Sequence, residues 1–118
     1  IFNKPGPTDI GTAIWAHNSV GILRQSWDPT GLITGIEVKL EGEIVWMISV
    51  YIPKRELDVS LRRIFSFLTD NGITKCFLGG DFNTIMDHTL DSRYGVDRGA
   101  ESHRLAEWAA REHLTDVY

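Results

Sequence analysis

Ile44 to Pro53 reads Ile-Val-Trp-Met-Ile-Ser-Val-Tyr-Ile-Pro, and this stretch decides the fold. In an extended chain Ile44, Trp46, Ile48, Val50 and Ile52 share one face, while Val45 and Met47 begin the other. The spacing predicts a strand buried on both faces over most of its length. The second face turns polar only at its end, with Ser49 and Tyr51, and Pro53 stops the strand because it has no N–H to add to a ladder. Polar groups gathered at the C-terminal end of a buried strand occupy the place where α/β folds put their sites.

On the N-terminal side, Leu32 to Leu40 alternates: Leu32, Thr34, Ile36, Val38 and Leu40 lie on one face, Glu37 and Lys39 on the other. Glu41-Gly42-Glu43 joins these two strands as a hairpin. Val20 to Trp27 predicts a further strand, closed by the turn residues Asp28-Pro29-Thr30-Gly31. Thr12 to His17 reads as a short buried strand ending in a turn at Asn18-Ser19. Asn3 to Asp9, with two prolines and a glycine, reads as a loop.

On the C-terminal side, Leu57, Leu61, Ile64, Phe65 and Leu68 recur at helical spacing with Arg62 and Arg63 opposite. Asp58 or Ser60 is placed to cap this helix, and Asn71-Gly72 to stop it. Lys75 to Leu78 is a short apolar strand running into Gly79-Gly80-Asp81-Phe82-Asn83. After a loop rich in Asp, Gly and Arg, Ser102 to His113 predicts a last helix with Leu105, Ala106, Trp108 and Ala109 inward. The order predicts an α/β or α+β chain on a mixed, mostly antiparallel sheet.

Composition sets the bounds. The chain has 118 residues, 42% of them hydrophobic, and a formal charge of −4, which suits a single globular domain. The longest apolar stretch, Ile44 to Ile52, is well short of the roughly 20 residues that cross a bilayer, and no membrane partner is expected. Cys76 stands alone, so no internal disulfide is available. A sequence pI near 5.5 argues against gripping a polyanion by bulk charge and leaves only a local site.

Leu78 to Asn83 (Leu-Gly-Gly-Asp-Phe-Asn) carries the chemistry. A carboxylate placed directly after a buried strand is held in position and partly out of water. The two glycines before it clear space for backbone or substrate. If the segment stays extended, Asn83 points to the same side as Asp81 and adds an amide donor. Carboxylate, amide and a nearby Tyr51 hydroxyl can orient a water and steady phosphoryl oxygens during phosphoester hydrolysis. Taken alone, Gly-Gly-Asp after a strand is read more readily as an ordinary turn, in which Asp and Asn tolerate the geometry.

Together, Ser49-Val50-Tyr51-Ile52-Pro53, a helix, an apolar strand and Gly79-Gly80-Asp81-Phe82-Asn83 resemble the endonuclease/exonuclease/phosphatase superfamily, and within it the apurinic-endonuclease-like domain of LINE-type (non-LTR) retrotransposons. Ile85-Met86-Asp87, Leu90-Asp91-Ser92-Arg93 and Leu114-Thr115-Asp116-Val117-Tyr118 extend the likeness from Gly11 to Tyr118. The resemblance implies a four-layer α/β sandwich of the DNase I-like type that cuts phosphodiesters with Mg²⁺. It implies Asp81 as the carboxylate that activates or orients the attacking water. Asn83 would position phosphate and water, and Tyr51 would contact the scissile phosphate. Ser49 stands where asparagine is common, and Ile52 replaces a smaller residue. The family's metal-binding glutamate and its late Asp-His pair have no match in this chain. Residues 1–118 are therefore expected to be the central part of a catalytic domain, inactive by itself, with no metal ligand set of its own. The implied substrate is DNA, the implied neighbour in the polyprotein a reverse transcriptase, and the implied location intracellular, in the nucleus for a retroelement enzyme. A phosphatase acting on a small phosphoester and a degenerate, non-catalytic relic are the alternatives.

Other candidates have plainer readings. Asp87, His88 and Asp91 suggest a metal cluster, but a solvated turn with an Asp91–Arg93 pair is favoured. His17, His103 and His113 are expected on the surface, and Arg62-Arg63 on an exposed helix face. Lys54-Arg55 is equally a phosphate-attracting pair or a solvated loop end. Trp15, Trp46 and Trp108 are expected in the core, and Trp27 is expected near the surface.

Overall fold

A computed structural model describes residues 11–83 and 99–115. Four strands, β1 (Ile22–Trp27), β2 (Ile33–Leu40), β3 (Glu43–Tyr51) and β4 (Cys76–Asp81), form one sheet in sequence order. β1, β2 and β3 pair antiparallel, whereas β4 lies parallel to β3. A parallel neighbour requires a crossover, supplied by helix α1 (Leu57–Asp70); α2 (Gly99–Arg111) follows β4. The chain is a mixed α/β fold, as its element order predicts.

The hairpin forms where turn chemistry allows. Leu40 and Glu43 are the last pair of β2 and β3, and Glu41 (φ 49°) and Gly42 (φ 83°) both adopt left-handed backbone. Two such residues make the tight turn whose twist matches the strands it joins. At the other end of β2, one carboxylate organises the turn: Asp28 accepts from the backbone N–H of Leu32 (3.1 Å), Ile33 (2.9 Å) and Thr30 (3.3 Å), and contacts the Thr30 hydroxyl.

Among the described residues the two sheet faces are covered unequally. Ile33, Trp46, Ile48, Val50 and Ile52 pack against Leu57, Leu61, Ile64 and Phe67 of α1 and Leu105, Trp108 and Ala109 of α2. Both helices therefore cover one face. The opposite face holds a smaller cluster of Ile36, Val38 and Val45, against which Ile14, Val20 and Met47 pack. On it Thr12 and Thr34 join hydroxyls at 2.6 Å, and the Thr12 N–H donates to the Gly31 carbonyl at 3.1 Å. These bonds tie the leading segment to the sheet.

Three expectations about packing are corrected. Thr12 to His17 forms no strand beyond an isolated bridge at Ala13, and Trp15 is 94% exposed rather than in the core. An apolar run becomes a strand only where a neighbour can accept its ladder bonds. In α1 the buried aromatic is Phe67, while Phe65 is half-exposed. β4 is not a buried strand: among the described residues it is the last strand of the sheet, and Phe77 is 53% exposed.

The end of α1 follows its sequence. The Ile73 N–H donates to the Leu68 carbonyl (2.9 Å) and the Gly72 N–H to that of Thr69 (3.1 Å), with Gly72 at φ 63°. This is the glycine-terminated wrap that satisfies the last carbonyls. Its start does not follow. Glu56 occupies the cap position without a side-chain bond. Asp58 instead pairs with Arg104 of α2 at 3.1 Å, and Ser60 faces the core. The Ser60 hydroxyl is buried with no hydrogen-bond partner among the described residues. Ser60→Ala is expected to stabilise the fold by about 1 kcal/mol, since it removes an unsatisfied hydroxyl and adds helix propensity. A rise in the urea midpoint at constant m-value checks this; a fall of similar size would reveal that the hydroxyl has a stabilising partner.

Candidate functional site

The site is built from the parallel pair. β3 and β4 match Met47 with Phe77, Ser49 with Gly79 and Tyr51 with Asp81, and register partners in a sheet project to the same face. The intervening residues Trp46, Ile48 and Val50, together with Leu78 and Phe82, belong to the helix-side core. By alternation Ser49, Tyr51, Gly79 and Asp81 lie on the opposite, less covered face, with Tyr51 and Asp81 side by side at the C-terminal ends of both strands. That is the position at which parallel strands present ligand-contacting groups.

Asp81 stands where its neighbours hold the backbone. Its carbonyl accepts the Ile52 N–H at 2.8 Å, and its carboxylate Oδ1 accepts the Asn83 N–H at 2.9 Å. Asn83 does not continue the strand. It turns into left-handed backbone at φ 49°, which asparagine tolerates better than most residues. From there its amide Nδ2 donates to the Ile52 carbonyl at 2.7 Å. Asn83 is thus brought beside Asp81, but by a turn and not by extension. One amide N–H holds the corner against β3 instead of facing the site.

Asp81 is exposed, not partly withdrawn from water as a carboxylate after a buried strand would be. Phe77 is exposed with it, since among the described residues no strand pairs with β4 on its far side. Tyr51 and Ser49 are half-buried.

The two glycines differ in kind. Gly80 has φ 142°, and a Cβ there would sit 1.9 Å from the Val50 carbonyl oxygen. Gly79 has neither a left-handed backbone nor any described atom within 4 Å of the place a Cβ would take. Sequence reading treats them alike, since nothing in Gly-Gly separates a backbone requirement from a clearance. The Ile52 backbone, which holds both Asp81 and Asn83, also leaves no trace in side-chain identity.

Each of the remaining candidates has its own setting. Lys54 and Arg55 are exposed in the turn after β3, Arg55 at φ 66°. His17 bonds Ser19 through Nδ1 (2.8 Å), and His103 pairs with Glu107 one helical turn away (3.0 Å). Both rings and that of His113 are exposed. Asp87, His88, Asp91 and Arg93 lie outside the described residues. Burial pushes the Cys76 thiol pKa up, away from the thiolate a nucleophile needs. Among the described residues no group of three or more His, Cys, Asp or Glu side chains comes together to hold a metal ion. Asp81 alone does not make a Mg²⁺ site. No helix among the described residues is long and apolar enough to cross a membrane.

Compared with known families and characterised proteins, the chain matches no family model and no curated protein.

Proposed function

We propose that the chain is the central part of a phosphodiester hydrolase domain of the DNase I-like, four-layer type. The best-supported activity is DNA nicking by a retroelement endonuclease, in a polyprotein that also carries a reverse transcriptase and acts in the nucleus. The observation that carries this reading is the register match of Tyr51 with Asp81 at the C-terminal ends of the parallel pair, on the face away from the helices. Supporting it are the Gly-Gly-Asp-Phe-Asn and Tyr-Ile-Pro stretches that carry the resemblance. A sheet with both helices on one face also suits half of a layered sandwich.

In this reading the Asp81 carboxylate orients the attacking water and accepts its proton, and the Tyr51 phenol donates to a phosphoryl oxygen as negative charge builds there. Asn83 keeps the corner closed, so that the carboxylate meets the phosphate at a fixed distance from the phenol. Mg²⁺, which the resemblance implies, would neutralise charge on the phosphate, with ligands from outside the described residues.

The test is plasmid nicking with Mg²⁺ by the polypeptide that carries residues 1–118 together with its flanking sequence. Asp81→Ala is expected to lower the nicking rate at least about 100-fold, with unchanged far-UV circular dichroism. Undiminished nicking by that variant would remove Asp81 from the chemistry and leave only the α/β scaffold.

A further inference from the structure

We infer that Asp28 is a positioning residue for the Tyr51 phenol, acting through the main chain of Leu32; this rests on the phosphodiesterase reading above and adds to it a residue outside the candidate site. The ladder between β2 and β3 ends, on this side, with the pair Ile33 and Val50, yet β3 continues to Tyr51. The Tyr51 N–H finds its acceptor one residue before β2 begins, on the Leu32 carbonyl at 2.9 Å. Tyr51 is therefore held on this side by a turn residue, and whatever places Leu32 also places Tyr51.

The Asp28 carboxylate places Leu32. The turn itself closes on main-chain bonds: the Gly31 N–H donates to the Asp28 carbonyl (3.2 Å), the Asp28 N–H donates to the Ile33 carbonyl (3.0 Å), and Gly31 takes the left-handed φ of 81°. The side chain reaches past that turn. Its Oδ1 accepts the N–H groups of Leu32 (3.1 Å) and Ile33 (2.9 Å). The Thr30 hydroxyl, which also accepts the Leu32 N–H at 3.3 Å, is itself bonded to Oδ2. Asp28 is half-buried, where bonds to a charged acceptor are stronger than in open water. Leu32 thus has its N–H on Asp28 and its carbonyl on Tyr51. On the other side of β3, Tyr51 stands opposite Asp81, and the Ile52 N–H bonds the Asp81 carbonyl. One bond on each side sets where the phenol lies relative to the Asp81 carboxylate. A displacement of about 1 Å between reacting groups can slow a reaction by about 100-fold.

The experiment measures Mg²⁺-supplied nicking by the polypeptide with its flanking sequence, for Asp28→Ala, Asp28→Asn, Tyr51→Phe and the Asp28→Ala/Tyr51→Phe pair, each below its own unfolding midpoint. Asp28→Ala is expected to fold, because the turn closes without the carboxylate. It should lower kcat about tenfold with KM within about twofold, since the phenol acts as charge builds on the phosphate. Asp28→Asn keeps an acceptor oxygen for the Leu32 and Ile33 N–H groups and should restore kcat to within about threefold. The pair should nick no more slowly than Tyr51→Phe, because a misplaced phenol and an absent one weaken the same step. Hydrogen exchange reads the link without catalysis: in Asp28→Ala the Tyr51 amide should quicken more than that of Ile52. Losses that multiply in the pair, equal quickening of both amides, an unaltered kcat, or failure of Asp28→Ala to fold would each overturn the inference. The exchange result does not depend on nicking, so the two readings fail separately. Undiminished nicking by Asp81→Ala removes the phosphodiesterase reading and leaves the tie between Asp28 and Tyr51 in place.

Discussion

Gly80→Ala is expected to cost the fold at least about 3 kcal/mol and to free β4 from β3. The new Cβ would stand 1.9 Å from the Val50 carbonyl oxygen, with the Val50 amide nitrogen and carbonyl carbon each 2.9 Å away. These are backbone atoms of a core strand, so no rotamer change relieves the collision; a strand must move. The left-handed φ of 142° adds strain that glycine alone escapes. Moving β4 would break the ladder from Trp46–Cys76 to Tyr51–Asp81 and expose Cys76 and Leu78, which pack on the helix-side core. For a domain of this size the loss corresponds to a fall in Tm of roughly 12–25 °C. Gly79→Ala, one residue earlier, is the control and should shift Tm by a few degrees at most. If the two alanine variants melt together, the close approach of Gly80 to Val50 does not exist in solution.

Trp46→Ala carries the other large effect, a loss of about 4 kcal/mol. Trp46 is 3% exposed in the middle of the sheet, edge-on to Phe67 with ring centroids 6.4 Å apart. Its indole Nε1 donates to Glu37 at 3.0 Å, and the Arg24 guanidinium lies 5.1 Å from its ring centroid. Arg24 in turn donates to both Glu37 oxygens (3.3 and 3.2 Å) and to the Asn71 carbonyl at the end of α1 (3.1 Å). One side chain thus fills the core and joins β1, β2 and the helix end. Its removal leaves a cavity beside Phe67 and takes a donor from a half-buried carboxylate. Trp46→Phe restores most of the volume but not the donor and should lose about 1–2 kcal/mol. Urea unfolding measures both. A loss below about 1.5 kcal/mol for Trp46→Ala would show that the ring is not packed as described.

The central hairpin was legible because two independent signals agree there: alternation over Leu32 to Leu40 and Ile44 to Ile52, and a turn whose glycine accepts left-handed backbone. Asn71-Gly72 marked the end of α1 for the same reason. The failures have physical causes. Ile64, Phe65, Phe67 and Leu68 offer two overlapping apolar stripes, and only the position of the sheet selects Phe67. Glu37 sits at a polar step of an alternating strand and reads as solvent-facing. Its burial depends on Arg24 and Trp46, which are distant in sequence. Cys76 to Leu78 is apolar whether or not a further strand lies beyond it, so composition could not reveal that β4 is the last strand among the described residues. At the candidate site the residue types were readable, but the corner was not. Asn83 reaches Asp81 through a left-handed turn and a bond to a main-chain carbonyl, neither of which a pattern of side chains encodes.

That corner has a consequence for how the region tolerates change over time. Ile52 holds it from both sides, its N–H on the Asp81 carbonyl and its own carbonyl taking the Asn83 amide. Among the described residues the Asp81 carboxylate is held by the Asn83 N–H, and Asn83 in turn by the Ile52 carbonyl. Both bonds that Ile52 makes use only the main chain of that position, so this corner constrains the backbone there and not the identity of the side chain.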